Sequence, residues 1–298
     1  MTNFAASSRA NVYARITDQI IDAIERDAGP LRMPWHHDGA PASRPINVLS
    51  RKPYRGVNIL ALWASAGAEN YPSGVWGTFK QFQSLGAHVR KGERATLGVV
   101  WKPVTPGDAE NAATSDAIKP RWFARGFSLF NAEQVDNYDP PVAPTLPDSA
   151  RVSHADDFIA ALGMRIIPGG NDAYYRPSTD SIHLPPFERF VDAETAIAIT
   201  LHECAHATGA PHRLDRNLSG RFGSQAYAME EAVAELTASF VLADLSIRHE
   251  PRPDHAAYLS TWLAVLKDDP SAIFTAASKA QAAADWMHAQ QVRVKAAA

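Results

Sequence analysis

The sequence predicts an α+β protein of two domains: a small α+β unit over residues 1–136 and, beyond a linker at 137–150, a mostly helical unit with a short β-sheet over 151–298. Three observations predict it. A length of 298 residues exceeds what one hydrophobic core usually serves. Segments rich in β-branched and aromatic residues gather between Val75 and Phe130, whereas helical periodicity dominates after Ala155. Between these regions Pro140, Pro141, Pro144 and Pro147 stiffen the chain and block helix and central-strand pairing.

The elements follow in order. Val12, Ile16, Ile20 and Ile24 recur at helical spacing, which predicts a helix from about Ala10 to Ala28, stopped by Gly29-Pro30. Turn residues then surround a short helical piece at Val57 to Ala66. Strands are expected at Val75–Phe79, Ala95–Trp101 and Trp122–Phe130, with the polar stretch Thr105–Lys119 as a surface insertion. The second half reads as a helix at Ala155–Leu162, a strand pair at Arg165–Ile167 and Ala173–Leu184, and four helices near 192–208, 226–246, 254–268 and 271–290.

Composition narrows the function classes. With 46% apolar residues, 20% charged residues and 7 Trp, the chain buries enough surface to offset its ordering entropy, so disorder is excluded. One cysteine, Cys204, supports neither an internal disulfide nor a multi-cysteine zinc cluster. That usage, together with an N-terminal stretch lacking an apolar core of signal-peptide length, leads to the expectation of a cytoplasmic protein. No membrane partner is expected either: the most apolar run, Ala193–Ala210, is interrupted by Glu194, His202, Glu203 and His206.

The net charge of −3 conceals a basic window. Arg44 to Lys102 holds nine bases against two acids, Glu69 and Glu93. Aromatic residues are interleaved with them, the mixture with which proteins hold single-stranded nucleic acid: cations for phosphates and rings on which bases stack. The candidate DNA-binding residues are Arg44, Arg51, Lys52, Tyr54, Arg55, Trp76, Lys80, Arg90, Lys91 and Arg94, whereas Trp63, Phe79 and Trp101 read as core.

The second half carries His202-Glu203-Cys204-Ala205-His206, an H-E-x-x-H pattern within a helical run. Chance would produce it about 0.016 times in a chain with this histidine and glutamate content. Histidines at i and i+4 lie one turn apart, so their nitrogens can converge on one Zn²⁺, with Glu203 placed beside it as a base that takes a proton from water. A catalytic zinc needs a third protein ligand. The following helix offers Glu230-Glu231-Ala232-Val233-Ala234-Glu235. Glu231 is assigned as ligand and Glu235 as the acceptor that fixes a histidine's tautomer, with Glu230 and Glu235 as alternative ligands, because only the rotation of the helix distinguishes them. Two imidazoles and a carboxylate suit Zn²⁺, and Mn²⁺ or Co²⁺ also fit such a set. Cys204, between the histidines, reads as a small packing hydrophobe.

His202-Glu203-x-x-His206 followed by Glu231-x-x-x-Glu235 resembles gluzincin-type metallopeptidases. More narrowly, the runs Leu201–Gly209, His212–Arg216 and Tyr227–Glu235 resemble plasmid antirestriction proteins of the ArdC type. Pro45–Ser50, Tyr54–Asn58, Trp76-Gly-Thr78, Gln81 and Gly86–Glu93 are similar to that family's N-terminal single-stranded-DNA-binding domain, so the likeness covers nearly the whole chain. It implies a zincin-like fold in the second half with His202, His206 and Glu231 as ligands and Glu203 as base. It also implies protection of conjugatively transferred DNA from restriction, but supplies no peptide substrate; two routes are open, DNA occupancy alone or a peptidase acting on a host or self protein. His212, Tyr174, Tyr175 and Tyr258 are the candidate oxyanion donors, and Ser181–Leu184 a candidate edge for an extended peptide. Two other readings fit the same residues: an intracellular metallopeptidase whose basic half recruits acidic substrates, and a non-enzymatic coating protein for plasmid replication.

Overall fold

A computed structural model describes residues 4–26, 44–103, 122–140, 146–221, 223–248 and 255–297. The expected Thr105–Lys119 insertion lies outside them, as does part of the proline-rich stretch. Helix α1 (Phe4–Arg26) presents the predicted isoleucine stripe inward, with Ile16 and Ile20 fully buried. Strand β1 (Ile46–Asn47) leads to helix α2 (Val57–Glu69). Then come β2 (Val75–Gly77), α3 (Phe79–Ser84), β3 (His88–Val89), β4 (Thr96–Pro103), β5 (Trp122–Asn131) and β6 (Val135–Asp136). The main sheet runs β1-β2-β5-β4, with β1 and β2 parallel and the other pairs antiparallel, Val99 opposite Gly126.

Sequence periodicity misses α3, and the reason is local. The expected strand Val75–Phe79 stops at Gly77 because Thr78 caps a new helix: its side chain accepts from the Gln81 N–H while Gln81 accepts from the Thr78 N–H, a capping box. Gly77 is required there by space, since a Cβ would sit 2.5 Å from Val48 and 3.0 Å from Phe82.

The second half begins with α4 (Asp148–Ala161). A three-stranded sheet follows, β7 (Arg165–Pro168), β8 (Tyr174–Arg176) and β9 (Ser181–Leu184), ordered β7-β9-β8. The single strand expected over Ala173–Leu184 is in fact a hairpin, broken by a 3₁₀ turn at Pro177–Thr179 and by Asp180 at φ 44°. Helices α5 (Ala193–Ala207), α6 (Gln225–Leu245), α7 (His255–Asp268) and α8 (Ala272–Ala297) complete the chain. Asp192 caps α5 by accepting from the Thr195 N–H at 2.7 Å, and Ser224 caps α6 through the Tyr227 N–H at 3.2 Å. Helix α6 is buried on nearly every side from Ala232 to Ala243, which makes it the central helix of this half.

The two halves differ in topology yet share one core. Helix α2 buries Ile59, Leu60, Ala61, Trp63 and Ala64, more than one face, so it needs cover on two sides. It packs on α1 and β4 and also reaches α8, and its Trp63 ring lies 6.0 Å from that of Phe240 on α6. Arg44 is the polar tie across this junction. Its side chain is 8% exposed, lies 5.1 Å above the Phe240 ring, and donates to Asp244 at 2.6 Å and to Gln281 at 2.9 Å. Arg44→Ala would leave Asp244 without that partner and is expected to destabilise the fold by about 2–3 kcal/mol in denaturant unfolding.

Candidate metal centre and nucleic-acid face

Helix α5 sets His202 and His206 one turn apart on the side facing α6, and three atoms converge between the helices. The two Nε2 atoms are 3.1 Å apart. His202 Nε2 lies 3.5 Å from one oxygen of Glu231, and His206 Nε2 lies 3.6 Å from the other. One donor atom from each residue falls within 4.8 Å of the rest. A tetrahedral ion with bonds of about 2.0–2.2 Å needs donor separations of about 3.3–3.6 Å, so the set fits a small divalent cation once the two imidazoles part by a few tenths of an ångström. Its chemistry fits as well, because two facing imidazole nitrogens and an anionic carboxylate are reconciled by one positive centre. Burial tends to raise the Glu231 pKa, but hydrogen bonding to His202, the charges of both histidines and the Tyr227 hydroxyl hold it down to about 2.

Behind each imidazole stands a carboxylate. His202 Nδ1 is 3.4 Å from Glu235, which is almost fully buried, and His206 Nδ1 is 3.2 Å from Glu230. Glu203 points into the same cavity, where its Oε2 accepts from the Tyr175 backbone N–H at 2.8 Å. The cavity has a volume of about 390 Å³, and Tyr174, Tyr227, Leu218 and Gly220 contribute to its wall. Cys204 faces away into the core and is fully buried, with its thiol pushed up to about 12 by desolvation.

Other expected roles fall differently. Strand β9 is paired on both sides and offers no edge; the edges are β7 and β8, and β8 is the one beside the cavity, its Tyr175 N–H donating to Glu203. The Tyr175 hydroxyl is tied to Asp180 at 2.9 Å, and His212 sits 3.3 Å from the same carboxylate. Tyr174 stacks on His183 with ring centroids 4.7 Å apart. The side chain of Tyr258 lies outside the described residues. Tyr227, by contrast, lines the cavity and was not among the candidates. Its position one turn before Glu231 on α6 is the signal that could have found it.

In the first half, the Asn47 side chain organises a turn. Its Oδ1 accepts from the Leu49 and Ser50 N–H groups at 3.1 and 3.0 Å, while its Nδ2 donates to the Tyr54 hydroxyl at 3.0 Å and to Gln81 at 3.2 Å. Since Gln81 also closes the cap of α3, the turn and the start of α3 are held side by side. Together they expose Leu49, Arg51, Lys52, Phe79 and Lys80, with Arg51 in the left-handed region at φ 57°. Lys91 and Arg94 are exposed on the following turn.

Comparison with known proteins agrees with both halves. Residues 10–130 match the family model for the N-terminal domain of anti-restriction factor ArdC, and residues 153–279 match that of a zincin-like metallopeptidase. The metal-free crystal structure of the antirestriction ArdC protein from plasmid R388 superposes with a TM-score of 0.78 at 33% identity, covering 94% of this chain and 98% of that one. The chain belongs to the ArdC antirestriction family. A Mn(II)-bound structure of the R388 ArdC protein matches with a TM-score of 0.75 over 93% of this chain and 97% of that one. The uncharacterized protein y4eC of Sinorhizobium fredii (strain NBRC 101917 / NGR234) is 54% identical over 294 residues, 97% of this chain and 95% of its own length. DNA primase TraC of Escherichia coli is 38% identical over 293 residues, which take in 92% of this chain but 27% of TraC. Among the described residues, no helix of this ArdC relative is long and apolar enough to cross a membrane.

Within the ArdC N-terminal region, burial removes some of the residues expected to meet DNA from the surface, and ion pairs engage others that stay exposed. Trp76 is 1% exposed and packs in the core against Leu62 and Leu129, so it offers no face to a base. Arg44 is sealed in the junction described above. Tyr54 is partly buried in the Asn47 network, and Arg55 forms an ion pair with Asp285. Arg90 is engaged by Glu93 at 2.9 Å and by the Glu133 carbonyl. Phe79 and Trp101, read from sequence as core, are 51% and 45% exposed, whereas Trp63 is buried as expected. Strand alternation and helix phase could not decide these cases, since the packing of Trp63 on Phe240 of α6 and the early end of β2 are set by tertiary contacts and a local cap.

Proposed function

We propose that this ArdC-family chain protects DNA entering by conjugation from restriction by holding it as a single strand on the N-terminal half, and that its second half carries a metal-dependent peptidase-type site. The observation that carries the second part is the convergence of His202, His206 and Glu231 within 4.8 Å. These three residues would hold the ion, Zn²⁺ by the match of two imidazoles and one carboxylate to it, with Mn²⁺ or Co²⁺ as substitutes. When bound, the ion supplies Lewis acidity and activates water at neutral pH. Glu203, held by the Tyr175 N–H at 2.8 Å, accepts the proton from water and passes it to a leaving amine. A host protein or the chain itself supplies the scissile peptide, and the open edge of β8 is the backbone beside which that peptide lies.

The single-strand face consists of Arg51, Lys52, Lys80, Lys91 and Arg94 for phosphates and Phe79 for base stacking. Two features support it: all are exposed, and the Asn47–Gln81 network fixes the turn and the start of α3 from which Arg51, Lys52, Phe79 and Lys80 project. Counterion release from five cations predicts a slope of about −3.5 for log affinity against log salt concentration. Fluorescence anisotropy of the full chain on single-stranded and duplex oligonucleotides tests this. Salt-insensitive binding, or none at low salt, would leave the recruiting metallopeptidase as the better reading. Restriction of DNA entering recipient cells, measured with Glu203→Ala, then separates the routes. Undiminished protection assigns it to DNA occupancy alone, and its loss brings the peptidase chemistry into the protective act.

A further inference from the structure

Glu230 precedes Glu231 on α6 and lines the same cavity, yet both of its oxygens are already engaged. Arg216 grips it with a fork, Nη2 to Oε1 at 2.7 Å and Nε to Oε2 at 3.0 Å. The same guanidinium donates to the Thr208 hydroxyl and to the Ala205 carbonyl, each at 2.7 Å, at the C-terminal end of the helix that bears both histidines. Its side chain is 5% exposed. The chain between them is folded back tightly, with Leu214 N–H bonded to the Thr208 carbonyl at 3.0 Å and Arg216 N–H to the Gly209 carbonyl at 3.0 Å. Gly209 lets the chain turn back closely, since a Cβ there would stand 2.8 Å from Leu218, 3.0 Å from the His206 carbonyl and 3.1 Å from Arg216.

Resting on the metal reading above, we infer that Arg216 and Glu230 are positioning residues for His206: Arg216 clamps Glu230 against Nδ1–H, which turns Nε2 toward the ion and withholds Glu230 from competing with Glu231 as ligand. A carboxylate behind a ligating imidazole fixes its tautomer and strengthens it as a donor, and such partners are worth about 10–100-fold in metal affinity. His202 has an equivalent in Glu235. Glu230, Glu231 and Glu235 span about 140° of helix face, so α6 delivers the third ligand and both imidazole partners together. Three carboxylates around one ion would otherwise be interchangeable. The fork distinguishes them, because a guanidinium binds both oxygens of one carboxylate at a fixed angle, as an ammonium cannot.

The test is calorimetric titration of the full-length protein with Zn²⁺ and with Mn²⁺, for the wild type, Glu230→Gln, Arg216→Met, their double variant and Glu231→Gln. Each of the first two changes is expected to weaken binding about 10–100-fold, and the double variant to bind no more weakly than the worse single one, since Arg216 acts through Glu230. Histidine ¹⁵N spectra of the Zn²⁺-loaded protein should show the His206 Nδ1–H resonance displaced in both variants and that of His202 in place, a pattern that general loosening would not produce. If Arg216→Met melts early in the metal-free state, Arg216→Lys, which keeps the charge and loses the fork, replaces it with a smaller loss expected. Unchanged affinity in Glu230→Gln and the arginine variant, with Glu231→Gln still impaired, overturns this inference and leaves the metal reading standing. An unaffected Glu231→Gln removes both.

Discussion

Glu231→Gln is expected to lower the affinity for Zn²⁺ or Mn²⁺ by more than about 10²-fold while the protein stays folded. A group behind a ligand is worth about 10–100-fold, so a direct anionic donor must be worth more. The substitution keeps the side chain's shape and its contact with Tyr227 but removes the charge that opposes the ion's. That charge is secure, because His202, His206 and Tyr227 outweigh burial and hold the Glu231 pKa at about 2. A carboxyl depressed in this way stabilises the fold at pH values above the ordinary carboxylate range, and the contribution disappears as the pH falls through about 2. At neutral pH the donor is therefore fully ionised. Glu203→Gln is the control, since Glu203 is held by the Tyr175 N–H and stands beside the donor set rather than within it. It should retain the ion. Calorimetry on the two variants decides the matter, and equal losses would merge the roles assigned to the two carboxylates.

The second large effect separates two aromatic rings three residues apart. Trp76→Ala should destabilise the protein by about 3–5 kcal/mol, because a fully buried indole leaves a cavity that its neighbours cannot fill. Phe79→Ala should change stability by no more than about 0.5 kcal/mol, since the ring is 51% exposed. On single-stranded DNA the order reverses. Loss of the Phe79 ring removes one stacking platform and should weaken binding by about 1–3 kcal/mol, roughly fivefold to 150-fold. Trp76→Phe, which preserves most of the packing, should bind DNA as the wild type does. Denaturant unfolding and anisotropy on the same preparations test both halves of this prediction. An intact affinity in Phe79→Ala would move the stacking face elsewhere, with the exposed Trp101 the next ring to examine.

What the sequence makes legible follows from how local each signal is. His202, Glu203 and His206 lie within one helical turn and a half, so the helix itself brings them together and their spacing suffices. Glu231 was readable only as one of three carboxylates, because choosing among them needs the rotation of α6 against α5, a tertiary quantity. The pairing of Glu230 with Arg216 was not readable at all: it depends on the course of the chain through Gly209 and Asp215, where backbone turns rather than periodicity govern. The long helices and β4–β5 were legible from their patterns. The short elements α3, β1, β3 and β6 were not, since two to six residues carry too little period to register. For the rings of the basic window, composition gives the presence of aromatic residues but not their burial. Trp76 and Phe79 exchange expected roles because β2 ends one residue before the α3 cap.

The most direct test of the metal centre is anomalous scattering from crystals grown with Zn²⁺ and recorded on either side of the zinc absorption edge. One strong peak is expected between α5 and α6, about 2.0–2.2 Å from His202 Nε2, His206 Nε2 and a Glu231 oxygen, with Glu230 remaining on Arg216. A peak coordinated by Glu230 in place of Glu231, or no peak between these helices at millimolar zinc, would contradict it.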